Sequence, residues 1–143
     1  MLSLSCKTAV KAVIYLSGKS GEGEKANIRE ISAKINASEH TVGKILQQLS
    51  RRKIINSLKG PSGGFYLSED QQEQPIINIV KAIEGDAVFT ECGLGLGSCS
   101  AARPCPIHDR YKEARELMEN IFRDSKVRSL CNSVTDGLAY LID

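Results

Sequence analysis

The stretch Lys59-Gly60-Pro61-Ser62-Gly63-Gly64 stands between two short β-prone runs, Ile54-Ile55-Asn56-Ser57-Leu58-Lys59 and Phe65-Tyr66-Leu67. Clustered Gly, Pro and Ser between such runs encode a tight connection, so the segment predicts a hairpin whose glycines permit positive backbone torsions and close approach to another backbone. What precedes it narrows the fold further. Asn27 is positioned to cap a short helix through Ile28, Ile31 and Ile35, residues 36–38 form a turn, and Ser38 is a good N-cap for a second helix. In that second helix Val42, Ile45, Leu46 and Leu49 fall on one side, while His40, Thr41, Lys44, Gln47 and Gln48 fall outside. Two short helices, a tight turn and a polar outer face make a helix-turn-helix, and the hairpin makes it a winged one.

The remaining elements follow from the same periodicities. Cys6, Ala9, Val10, Val13, Ile14 and Leu16 predict a first amphipathic helix stopped at Gly18, and Pro75 with Ile76, Ile79, Val80 and Ile83 predicts a fourth that ends at Gly85. Tyr111, Ala114, Leu117, Met118, Ile121 and Phe122 recur at three- and four-residue intervals in a charged segment and predict a long amphipathic helix. Little else beyond the hairpin is available for that helix to cover, so its stripe is expected to pair with a second subunit. Val134, Leu138, Leu141 and Ile142 suggest a last short helix. The expected fold is mainly α with a small β-hairpin wing. It divides into a winged helix-turn-helix domain over 1–84, a cysteine-rich loop over 85–108, and a dimerisation helix plus C-terminal helix over 109–143.

Charge separates the two halves. Residues 1–67 carry 11 Lys and Arg against 4 Asp and Glu, whereas residues 68–143 carry 8 against 13. A basic half suits phosphate contact, which supplies most non-specific affinity for nucleic acid. The predicted DNA-contact surface comprises Ser38, His40, Thr41, Lys44, Gln47 and Arg51 on the helix, with Lys59, Gly60, Pro61, Ser62 and Gly63 on the wing. One element suits the major groove and the other the phosphates or minor groove.

Three cysteines and a histidine crowd into residues 92–108, as Cys92, Cys99, Cys105 and His108, in a chain whose other cysteines are Cys6 and Cys131. Clustered thiols on a Gly-rich loop add nothing to a core, whereas iron or zinc needs several soft ligands near one point, and a redox-active thiol pair also fits. Cys6 and Cys131 lie in helical apolar patterns and read as core residues. No Ser-His-Asp set, carboxylate pair or phosphate-binding turn is present, so an enzyme is not expected. Neither a secretion signal nor a run of some 18 apolar residues is found, so a cytoplasmic protein without a membrane partner is expected.

The order of helix-turn-helix, Lys-Gly-Pro-Ser-Gly-Gly wing, helix, three-cysteine loop and long helix resembles the IscR, NsrR and CymR-type (Rrf2) family of bacterial winged-helix transcription regulators. Thr8-Ala9-Val10 with Ala12 in the first helix is a weaker echo of the same family. The resemblance covers nearly the whole chain. It implies a homodimer on a partly palindromic double-stranded DNA operator, controlled in cysteine-bearing members by an iron-sulfur cluster that senses redox state, nitric oxide or iron-sulfur status. Residue by residue, it makes Cys92, Cys99, Cys105 and His108 the ligands of a 2Fe–2S cluster, with 4Fe–4S the second choice. Thr8 stands where some members have a ligating acid, Cys92 and Cys99 enclose six residues rather than five, and Gly43 replaces a glutamate. The alternative is a cluster-free regulator with a thiol-disulfide switch or structural zinc.

Overall fold

The computed structural model describes residues 2–143. In chain order the elements are α1 (Leu4–Gly21), α2 (Ile28–Ile35), α3 (Glu39–Arg51), β1 (Asn56–Leu58), β2 (Gly64–Tyr66), α4 (Glu69–Gln72), α5 (Ile77–Glu84), α6 (Ala87–Thr90), α7 (His108–Asp124) and α8 (Val127–Thr135).

The helix-turn-helix forms where the caps place it. Asn27 and Ser38 each accept a hydrogen bond from the backbone three residues on, at Glu30 and Thr41, which satisfies donors that a helix start leaves free. Between the helices Asn36 adopts the left-handed conformation at φ 52°, the turn that sends α3 across α2. Val42, Leu46 and Leu49 on α3 and Ile31 and Ile35 on α2 are fully buried with Ala9, Val13 and Leu16 of α1. The wing pairs antiparallel, Asn56 with Tyr66, Ser57 with Phe65 and Leu58 with Gly64. Phe65 also exchanges backbone hydrogen bonds with Ala26, so the segment before α2 braces the hairpin. Ile54 and Ile55, expected in the first strand, instead lie in the core just ahead of it.

Two boundaries differ from expectation. The first helix passes through Gly18 rather than stopping there. A Cβ on Gly18 would lie 3.4 Å from the Cys131 sulfur, so the glycine lets α8 cross α1 closely. The last helix spans Val127–Thr135, and of the four residues assigned to it only Val134 lies inside; Leu138 is 80% exposed beyond its end. The reason is packing: Val127 is fully buried in the main core and Cys131 is buried against α1, which fixes the helical register upstream of the apolar tail. Backbone bonds from Ile76 to Ser125 and from Val127 to Gln74 stitch this region to the α4–α5 segment. Two single-turn helices, α4 and α6, were not expected; α4 is held by a capping box of Ser68 and Gln71.

A second, smaller cluster joins Cys6, Ile77, Val80 and Phe89, with Met118 and Phe122 of α7 packed against it. It fixes α7 to the helical body and so sets where the cysteine loop hangs.

Candidate nucleic-acid interface and cysteine loop

An open groove of about 1040 Å³ lies between α3 and the wing. His40, Gln47 and Arg51 from α3 line it on one side, and Lys59, Gly60, Pro61 and Gly63 from the wing line it on the other. Lys44 is exposed farther along α3, beside Gln47, Arg51 and Arg52. Ser62 is exposed at the wing tip. Ser38 and Thr41 sit at the helix start, where the Ser38 hydroxyl donates to Thr41 Oγ1 at 2.8 Å and accepts from Thr41 N–H at 3.2 Å. Gln48, which sequence periodicity puts outside, is committed to the fold: its Nε2 donates to the Ala82 carbonyl at 2.9 Å and ties α3 to α5. Arg29 is a basic groove residue that sequence reasoning passed over; its place in the first turn of α2, off that helix's apolar face, was the available signal.

The wing's shape depends on one position without a side chain. A Cβ on Gly63 would meet the Leu58 carbonyl oxygen at 2.0 Å, while the Gly63 amide donates to Gly60 at 2.9 Å to close the turn. Only glycine fits there.

The cysteine loop hangs between α6 and α7. Its six-residue spacer folds back on itself: the Cys92 amide donates to Gly97, the Gly95 amide to Cys92, and the Cys99 amide to Thr90, at 2.8, 2.9 and 2.9 Å. Glu91 and Ser98 pair as an isolated bridge, which closes the segment between Cys92 and Cys99 into a loop. All three loop cysteines are free thiols, with Cys92 and Cys105 buried and Cys99 partly so. Cys99 Sγ lies 3.2 Å from His108 Nδ1, and His108, buried, is the first residue of α7. Cys92 and Cys105 are buried in the same loop and influence one another's acidity. Of the sequence-predicted donors, Cys99 and His108 are in direct contact. Among the described residues, no three His, Cys, Asp or Glu side chains are drawn together as a metal-ion site.

The thiols differ in acidity. Backbone N–H groups of Leu94 and Leu96 point at Cys92 and hold it below the ordinary thiol value, whereas burial and the neighbouring Cys92 push Cys105 up. Cys6 is a core residue, its thiol pushed up to about 12 by burial and then by Glu84. Thr8, also buried, donates its hydroxyl to the Leu4 carbonyl at 2.9 Å and is spent within α1.

The predicted dimer stripe divides on α7. Met118 and Phe122 pack inward, Tyr111 lies against Gly93 of the cysteine loop, and Ala114, Leu117 and Ile121 face outward. Leu117 and Ile121 are 64% and 54% exposed.

A helix-turn-helix with a basic hairpin across a groove defines a winged-helix DNA-binding protein. Residues 2–133 match the Rrf2 family, described as an iron-dependent transcriptional regulator, and the chain belongs to that family. It is 30% identical over 109 residues to the HTH-type transcriptional regulator NsrR of Geobacillus kaustophilus, which covers 76% of this chain and 74% of that one. The fold is similar to CymR, the global cysteine regulator of B. subtilis, with TM-score 0.75 and 19% identity across 92% of this chain and 96% of that one. It is similar also to T. potens IscR, with TM-score 0.76 and 14% identity across 97% and 91%. These relatives are transcription regulators rather than enzymes, and the chain is an HTH-type transcriptional regulator. No helix among the described residues is long and apolar enough to cross a membrane.

Proposed function

We propose that the chain is a homodimeric, cytoplasmic regulator whose hold on a partly palindromic operator is set by an iron-sulfur cluster carried on Cys92, Cys99, Cys105 and His108. Residues 1–84 read DNA, residues 85–108 hold the cluster and residues 109–143 join the subunits. The observation that carries this reading is the contact of Cys99 with His108 at 3.2 Å at the foot of α7, with Cys92 and Cys105 buried in the same loop. A single zinc needs all its ligands around one point, whereas imidazole can replace thiolate on one iron of a 2Fe–2S centre.

The surroundings fit an anionic group. Arg115 carries a buried Nε–H with no acceptor in the protein, close to the Glu91–Gly93 backbone that leads into and out of Cys92. When bound, the cluster would supply redox and nitrosative sensitivity and a covalent tie between loop and helix. The chain does the rest. His108 begins α7, so the loop's order is linked to the helix that carries Leu117 and Ile121, and through that helix to the spacing of two DNA-reading heads. A dimer must match half-sites about 34 Å apart, so a small change in that spacing alters affinity. The exposed Ala114, Leu117 and Ile121 face would be covered by the second copy, and the basic α3 and wing surfaces by phosphates.

Anaerobic isolation with iron, sulfide and zinc quantified together tests the reading. Iron and acid-labile sulfide in near-equal amounts, with visible absorption, are expected; a colourless preparation with intact thiols contradicts it. A second reading, a thiol-disulfide switch, is favoured by the free, buried thiols of Cys92 and Cys105 in one loop and by the lowered pKa of Cys92. It predicts metal-free protein in which mild oxidation joins those two cysteines, whereas zinc without sulfide would select a structural metal.

A further inference from the structure

Among the described residues, Arg115 is the side chain that touches the cysteine loop from the middle of α7 while retaining an unused buried donor. Its Nη1 donates to the Glu91 carbonyl at 2.8 Å, and its guanidinium lies 5.9 Å from the centre of the Tyr111 ring, one helical turn earlier. That ring presses in turn against Gly93, where a Cβ would stand 2.7 Å from its edge carbons. The two α7 residues thus grip the backbone on both sides of Cys92, at Glu91 and at Gly93. Arg115 Nε is buried without an acceptor, a state that costs free energy unless another group supplies the acceptor.

We propose that Arg115, seated on Tyr111, is a positioning residue that latches the Glu91–Gly93 backbone to α7 and so holds Cys92 in place for the group the loop carries. Without the latch, the only described ties between the loop and α7 are at its far end, where the His108 amide donates to Cys105 and Cys99 meets His108. The latch makes the near end of the loop and the helix move as one body. A lysine cannot replace the arginine, because one ammonium cannot both donate to the carbonyl and keep a second donor buried beside the ring. Phenylalanine at 111 can replace the tyrosine, because the ring and not the hydroxyl makes the contact.

Hydrogen exchange followed by mass spectrometry on the full-length, reduced, iron-free chain tests this. Arg115→Gln is expected to speed exchange of the 91–97 amides by about tenfold, with α1–α3 and the thermal midpoint nearly unchanged. Tyr111→Phe should exchange like the parent and Arg115→Lys like Arg115→Gln. If Arg115→Gln does not fold, Tyr111→Leu removes the platform instead and should loosen the same amides. Unchanged loop exchange in Arg115→Gln, or loosening spread evenly over the molecule, overturns the proposal. A second arm rests on the cluster reading: after iron-sulfur reconstitution, Arg115→Gln should lose iron to a chelator about tenfold faster than the parent. Equal rates of loss overturn the latch's part in holding Cys92. If the parent takes up no iron, the cluster reading fails by itself and the exchange result still decides the latch.

Discussion

A methyl group at position 63 would sit 2.0 Å from the Leu58 carbonyl oxygen, so the wing tip cannot accept even alanine without opening its turn. Gly63→Ala is expected to cost about 1–3 kcal/mol by chemical denaturation and to weaken duplex binding at low salt, because the displaced hairpin carries Lys59 away from the phosphates. Unchanged stability and affinity would show that the turn is more yielding than this close approach implies. At this scale the sequence was most informative where chemistry forces a residue type. The Gly-Pro-Ser-Gly-Gly run and the caps at Asn27 and Ser38 could both be read directly. Arg115 could not: on a charged helix face nothing distinguishes it from Arg110 or Lys112 until the loop is seen to fold back onto α7.

Helices and hairpins were legible where an apolar stripe was long enough to show its period. Helices α2, α3 and α5 each bury such a stripe, α7 packs only Met118 and Phe122 of its stripe inward, and the four-residue α4 and α6 are too short to show one. The failure at α8 has a different cause, since the tail's Leu138 and Ile142 continue an apolar pattern that has no partner in the fold, and burial of Val127 sets the helix instead. Contacts between elements are also polar. The Tyr15 hydroxyl on α1 donates to Glu30 Oε1 on α2 at 2.7 Å, and Lys19 Nζ lies 3.1 Å from the same oxygen. These partners hold the Glu30 carboxyl below its ordinary value, and burial first, then Glu30, pushes the Tyr15 hydroxyl up to about 12. A depressed carboxyl means that the folded chain binds this proton less readily than the unfolded one. The stabilisation is therefore complete above the unfolded carboxylate's value and is lost as pH falls through the lower folded one. Glu30→Gln is expected to flatten the fall in stability below about pH 4. At neutral pH it should cost under about 1 kcal/mol, because the groups are partly exposed. Parallel acid-unfolding curves for parent and variant would remove this network from the account.

Across the molecule, charge and apolar exposure divide by function. The basic surface gathers on α3 and the wing, while the exposed leucine and isoleucine of α7 lie on the helix that follows the cysteine loop. In the proposed dimer Leu117 and Ile121 are covered together, so Leu117→Glu with Ile121→Glu should give a monomer in sedimentation and lose the avidity of two reading heads. A dimer that persists in that double variant would move the subunit interface elsewhere. The fold class and the order of its parts were readable along the chain. The division of the α7 stripe between the core, the loop and an outward face was not, because one helical period serves all three. The central claim is that the state of the cysteine loop sets the hold on DNA. The most direct test is anaerobic measurement of affinity for the chain's own promoter, comparing iron-sulfur-loaded and iron-free parent protein with a variant carrying alanine at positions 92, 99 and 105. The two parent forms should differ by about tenfold or more, with the variant fixed near the iron-free value. Equal affinity in all three would contradict the claim.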